Sequence, residues 1–254
     1  MDTVTHTVSG RGIATIMFNR PDRANSYDAA MLDALVAAFE RFGNDPAVRV
    51  IVWRGAGKHF SAGAAIGESG HSRLNMGEVC TLIDSTPKPT IALVQGACIG
   101  GALALASCCD VMIAGRGAFF AIPEVRLGFA PGPLIAFFAR AMGFRSLRRY
   151  LLSGERFSAE QAFRIGLVQE LCDDDAIERT LAEIVEQCLL SAPGAVARAK
   201  HLLRKQATPE LSPDLLRELQ QAFDTVSQSE EAVEGRASFK EKRKPKWYPP
   251  PRDI

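Results

Sequence analysis

The 254-residue sequence has almost no charge of one sign to spare, since 30 Lys and Arg stand against 29 Asp and Glu for a net charge of +1. That balance excludes the global basic excess of a protein held mainly by nucleic-acid phosphates, so no nucleic-acid partner is expected. The six cysteines (Cys80, Cys98, Cys108, Cys109, Cys172 and Cys188) form neither a paired C-x-x-C set nor a regular framework. They read as reduced, mostly buried thiols rather than zinc ligands or a disulfide scaffold. The four histidines (His6, His59, His71 and His201) are scattered, and no metal site is expected. The stretch from Met1 to Gly12 carries Asp2, His6 and Arg11 and lacks the apolar core of a secretory signal, which points to a cytoplasmic protein. One uncharged stretch, Thr90 to Cys109, has the length of a membrane span. It is broken by Gln95, Gly96, Gly100, Gly101 and Ser107 and is rich in Ala and Cys, so it reads as buried strand, turn and helix, with no membrane partner.

What remains, 47% hydrophobic and 23% charged residues with 21 Gly and 14 Pro, is the composition of an ordinary globular chain of one or two domains with a sizeable core. Ile13–Phe18 and Val48–Trp53 are short strand-like runs. Between them Asp28–Asn44 places Met31, Leu32, Leu35, Val36, Phe39 and Phe42 on one helical face. Further strands are expected at Thr90–Val94, Val111–Ala114 and Ala118–Ala121, with a short apolar helix at Gly100–Ser107. Such alternation predicts an α/β fold with buried strands. After Pro131 the balance shifts to helix. Ser158 and Gln161 form a capping box, Gly166 stops that helix before a strand at Leu167–Leu171, and four helices follow at Asp175–Leu190, Pro193–Gln206, Pro213–Ser227 and Glu231–Glu241. A basic tail, with Lys240, Lys242, Arg243, Lys244 and Lys246, closes on Pro249–Pro251.

Two segments suggest chemistry. Lys58–Ile66 reads KHFSAGAAI, in which small residues after a strand let a turn present backbone N–H groups outward. Val94–Leu105 reads VQGACIGGALAL, in which glycines open an apolar helix whose first N–H groups lack helical partners. Together they suggest an oxyanion-binding pocket; close backbone packing is the alternative.

The chain resembles the enoyl-CoA hydratase/isomerase (crotonase) family over nearly its whole length. The resemblance is carried by Arg20-Pro21 with Asn25, Phe60-Ser-Ala-Gly-Ala64, Pro87-Lys-Pro-Thr-Ile91, Gly96 with Gly100-Gly101, and Cys109-Asp110. It continues through Pro123-Glu124, Leu151-Leu-Ser-Gly154, Ala162 with Gly166-Leu-Val168, and Phe239 with Glu241-Lys-Arg243. It implies a crotonase-like fold of repeated β-β-α units over 1–195 and a helical trimerisation region over 196–254. It also implies an acyl-CoA thioester substrate that brings its own coenzyme A, no separate cofactor, and a homotrimer or dimer of trimers. Ala64 and Gly101 would grip the thioester oxygen through their N–H groups, and Glu124 would be the acid/base. Arg23, Ala62 and Ile66 would contact the CoA part, and Phe239 and Lys242 would approach its adenine end, often from a neighbouring subunit.

The departures from the family pattern shape the expected chemistry. Its hydratases commonly carry a second glutamate, which here would fall at position 104, where the chain has Ala. A single buried glutamate among Phe119, Phe120, Ile122, Val125 and Leu127, with a raised pKa, suits double-bond isomerisation better than hydration, which uses two carboxylates on a water. A hydratase with Glu68 as substitute acid, a non-catalytic CoA-binding scaffold and an RNA-binding branch are the alternatives. Ala65 replaces a frequent Asp, and Pro131-Gly132-Pro133 replaces a glycine-rich run and is expected to reshape the acyl pocket beside Phe137 and Phe138.

Overall fold

In the computed structural model, which describes residues 2–67, 70–206, 212–243 and 246, the chain opens with β1 (Val4–Val8) antiparallel to β2 (Ile13–Phe18). Next comes α1 (Ala29–Asn44), started by the Asp28 carboxylate, which accepts the Met31 N–H at 2.8 Å. The six apolar residues expected on its inner face are all buried. Every later strand of the main sheet is parallel to its neighbour. These are β3 (Val50–Gly55), β4 (Thr90–Val94), β6 (Val111–Gly115) and β9 (Glu170–Cys172), in the order β1-β2-β3-β4-β6-β9. β4 is buried at every position, as strands covered on both faces must be.

A second sheet, β5-β7-β8, holds β5 (Ala97–Ile99), β7 (Phe119–Ala121) and β8 (Phe157–Ser158). The expected β-β-α repeat is visible in how the sheets alternate. β4 and β5 lead into α3 (Gly101–Ala106), and β6 and β7 lead, through a 3-10 turn at Glu124–Leu127, into α4 (Leu134–Ser153). The first such unit runs from β3 to α2 (Met76–Ser85), and its small-sheet strand is reduced to one parallel bridge, Ser61 to Cys98. Each unit thus sends one strand to each sheet, and the turns between the strands and their helices gather on one side.

The remaining helices are α5 (Ala159–Arg164), α6 (Ile177–Leu190), α7 (Pro193–Gln206), α8 (Pro213–Ser227) and α9 (Glu230–Lys240). The strand expected at Leu167–Leu171 is displaced to Glu170–Cys172, because the Leu167 and Val168 N–H groups both turn back to the Ala162 carbonyl and close α5. The Ser158–Gln161 capping box is present. No helix among the described residues is long and apolar enough to cross a membrane; the uncharged stretch from Thr90 is divided among β4, β5 and α3. All six cysteines are free thiols, with Cys80, Cys98 and Cys108 buried.

Candidate active site

The site is built on a clasp between two loops. The buried Asn25 side chain accepts the Arg20 N–H at 2.8 Å and donates to the carbonyls of Ala56 (2.9 Å) and His59 (2.7 Å). One amide group therefore ties the Arg20-Pro21 turn to the loop after β3. Ser61 completes the clasp, its hydroxyl donating to the Asn25 carbonyl at 2.7 Å and accepting the Gly63 N–H at 3.2 Å. His59 is a packing residue: its Nδ1 accepts the Ala97 N–H at 3.0 Å, and burial lowers its pKa.

Against this clasp, residues 61–64 run beside β5. The Ser61 N–H donates to the Ala97 carbonyl (2.9 Å) and the Ile99 N–H to the Ser61 carbonyl (3.1 Å). Beyond the Ser61–Cys98 bridge the two chains stay close, since a Cβ on Gly63 would come 2.9 Å from the Ile99 carbonyl oxygen. Neither the Ala64 nor the Gly101 N–H makes a hydrogen bond among the described residues. Gly101 opens α3, where N–H groups have no helical acceptor and the helix dipole is positive. Both N–H groups are therefore left available as donors.

Glu124 faces the same turn. It begins the 3-10 turn after β7 and is 7% exposed, the only buried carboxylate among the described residues. Burial pushes its pKa from 4.5 up to about 7, and its Oε2 has no hydrogen-bond partner. Its Oε1 lies where it would come within 3.0 Å of a Cβ on Gly100, a residue with φ of +58°. A side chain at position 100 would thus be strained and would press on the carboxylate. Ala104 is completely buried, so no second carboxylate approaches from α3. Glu68 lies outside the described residues.

Of the positions expected to contact CoA, Ala62 is half-buried and Ile66 exposed on the turn around Ala64. The exposed Arg23 belongs to the same edge, since Ala24, next in sequence, accepts the Ala62 N–H at 2.9 Å. Phe239 and Lys242 are both exposed, at and just beyond the C-terminal end of α9. The altered run ending in Pro133 packs on the start of α2, where a Cβ on Gly77 would lie 3.1 Å from the proline ring, and Phe137 and Phe138 are buried behind it.

Sequence reasoning missed Tyr27. Its backbone pairs with the oxyanion turn on both sides of Ala64, its N–H donating to the Gly63 carbonyl (2.9 Å) and its carbonyl accepting the Ala65 N–H (2.8 Å). Its ring, 6% exposed, runs inward until the hydroxyl abuts Gly101. The position two residues after the Asn25 clasp was the available signal. Two unpaired N–H donors beside a buried carboxyl that titrates near neutrality can stabilise a developing oxyanion while moving a proton on and off the adjacent carbon.

Comparison with known proteins identifies the family. The family model described as enoyl-CoA hydratase/isomerase matches residues 9–250. A carnitinyl-CoA dehydratase of Salmonella typhi is 32% identical, covering 97% of this chain and 99% of its own length. The crystal structure of an enoyl-CoA hydratase from Mycobacterium avium subsp. paratuberculosis K-10 superposes with a TM-score of 0.86 at 29% identity, over 98% of this chain and 99% of that one. Methylmalonyl-CoA decarboxylase in complex with 2-nitronate-propionyl-CoA gives a TM-score of 0.85 at 26% identity, over 97% and 98% of the two chains. With the family model matched over nearly the whole chain and the crotonase fold in place, the chain belongs to the enoyl-CoA hydratase/isomerase family.

Proposed function

We propose that the protein moves the double bond of enoyl-CoA thioesters, with Glu124 as its single acid/base. The thioester oxygen lies between the N–H groups of Ala64 and Gly101. Glu124 takes a proton from C2 or C4, the electron pair delocalises onto that oxygen as a dienolate, and the proton returns to the other carbon. The observation that carries this reading is Glu124 itself: one buried carboxyl raised to about 7, with a free oxygen, opposite a buried alanine where a second carboxylate would stand. One group that accepts and returns the same proton needs no partner. Coenzyme A enters with the substrate, along Arg23, Ala62 and Ile66. Support for an acyl-CoA site comes from the structural relative solved in complex with 2-nitronate-propionyl-CoA.

Reversible hydration is the second reading, favoured by the carnitinyl-CoA dehydratase and enoyl-CoA hydratase among its relatives. It uses the same oxyanion site, with water reaching the β-carbon. A panel of 2-enoyl-CoA and 3-enoyl-CoA thioesters with product analysis separates the two. Interconversion of the panel, with loss of about 100- to 10000-fold in Glu124→Gln, is expected. A 3-hydroxyacyl product from the unmodified protein assigns it to hydration, and CoA binding without any turnover assigns it to a non-catalytic role.

A further inference from the structure

Tyr27 reaches both halves of the oxyanion turn. Its backbone brackets Ala64, and its hydroxyl lies against Gly101, so close that a Cβ on that residue would overlap the oxygen at 2.1 Å. Phe18 packs beside the ring, with centroids 6.4 Å apart, and fixes it from the core side. What the hydroxyl lacks is a proper acceptor. Its one described partner is the Met76 thioether, 3.7 Å away, and sulfur of that kind accepts weakly. A buried hydroxyl ordinarily secures a strong partner, because leaving it without one is destabilising. Here the proton is left over at the α3 start, beside the amide that would hold the thioester oxygen.

We propose that the Tyr27 hydroxyl is a third hydrogen-bond donor to the thioester oxygen, joining the Ala64 and Gly101 amides as negative charge develops there. This rests on the oxyanion site of the proposed function, though not on whether the reaction is isomerisation or hydration, since both pass through an enolate-like species. The phenol is suited to donate rather than to ionise. Burial first, and then the charge of Glu124, hold it protonated above its usual range. It therefore remains a neutral donor at the pH where Glu124 works as a base, and no proton leaves it during the reaction.

The test uses a ligand whose enolate can be seen without turnover. Acetoacetyl-CoA ionises at its central carbon, and the enolate absorbs in the ultraviolet where the keto form does not. The unmodified protein is expected to raise the enolate fraction of the bound ligand. Tyr27→Phe, which keeps the ring, should lower the bound enolate-to-keto ratio by about 10- to 100-fold, the worth of one hydrogen bond to a charged acceptor, while binding of coenzyme A alone stays unchanged. Met76→Leu removes the thioether and leaves the hydroxyl, so it should retain the ratio. An unchanged ratio in Tyr27→Phe overturns the proposal, as does an equal loss in Met76→Leu, which would make the tyrosine a packing residue. If the unmodified protein binds acetoacetyl-CoA and produces no enolate, the two-amide site fails, and the third donor with it.

Discussion

Glu124 combines a free carboxylate oxygen with near-complete burial, and the burial that lets it accept a proton near neutrality also works against the fold. Below pH 4.5 the carboxyl is protonated in the folded and unfolded chains alike. Between 4.5 and about 7 the folded chain keeps a proton that the unfolded chain has released, so this residue's contribution to stability falls as pH rises. The full span corresponds to about 3 kcal/mol at about 1.36 kcal/mol per unit. Glu124→Gln cannot ionise and is expected to be more stable than the unmodified protein above pH 7 by about 1–3 kcal/mol, the lower figure allowing for an amide without partners. Below pH 4.5 that advantage disappears, leaving only the cost of the amide. Denaturant unfolding at pH 4, 6 and 8 measures the gap, and a gap that does not widen with pH would refute a raised carboxyl. Glu124 was readable from sequence because its apolar neighbours announce burial. Tyr27 was not, since a single tyrosine in an extended segment has no period, and its meaning comes from Gly101, a residue remote in sequence that only the fold brings to it.

The elements show why the turn bearing Glu124 keeps its place. α9 lies on that turn, with Gly235 packed so closely that a Cβ there would come 2.2 Å from the Leu127 carbonyl oxygen. Alanine is the better helix former by about 1 kcal/mol, so any loss in Gly235→Ala reports this contact and not the helix. We expect it to destabilise the protein by about 1–3 kcal/mol through overpacking. It should also lower turnover by moving Glu124 out of line. Gly194→Ala, whose Cβ would meet only the Arg198 guanidinium at 3.5 Å, is the matched control in α7. Thermal unfolding and kcat of both variants decide it, and equal behaviour would show that α9 does not position the turn. α7 is held to the core by Lys200, whose Nζ donates to Asp110 at 2.6 Å and to the Lys88 carbonyl at 2.8 Å, so Asp110 of the Cys109-Asp110 pair is structural. Elements with a broad apolar stripe, such as α1, were legible residue by residue. β5 and β8, three and two residues long, are too short to show a period, and pairing alone makes them strands. α2 was overlooked although Asn75 and Glu78 form a capping box, a signal independent of periodicity.

At the scale of the whole molecule, large apolar side chains remain in solvent on several helices: Phe144 and Leu152 of α4, Leu190 of α6, Leu202 and Leu203 of α7, and Phe239 of α9. Side chains of this kind are available to pack against another copy of the chain. We propose that residues 196–254 contribute contacts in a homotrimer or dimer of trimers, closed by rotational symmetry. Light scattering at micromolar concentration should return three or six chain masses, and a monomer would refute the assembly. A sharper prediction follows from the position of Lys242. It and Phe239 lie exposed at the end of α9, where Arg243 grips Glu234 through both terminal guanidinium nitrogens (2.5 and 3.0 Å) and fixes the turn. We propose that they hold coenzyme A in a neighbour's site. Lys242→Ala assemblies should then show a raised KM for CoA thioesters with kcat retained, while Glu124→Gln assemblies lose turnover. Mixed assemblies of the two variants would contain sites that take Glu124 from one chain and Lys242 from the next, and those sites should recover both low KM and turnover. Kinetics that remain the plain sum of the two separate variants after subunit exchange would show that Lys242 serves no neighbouring site.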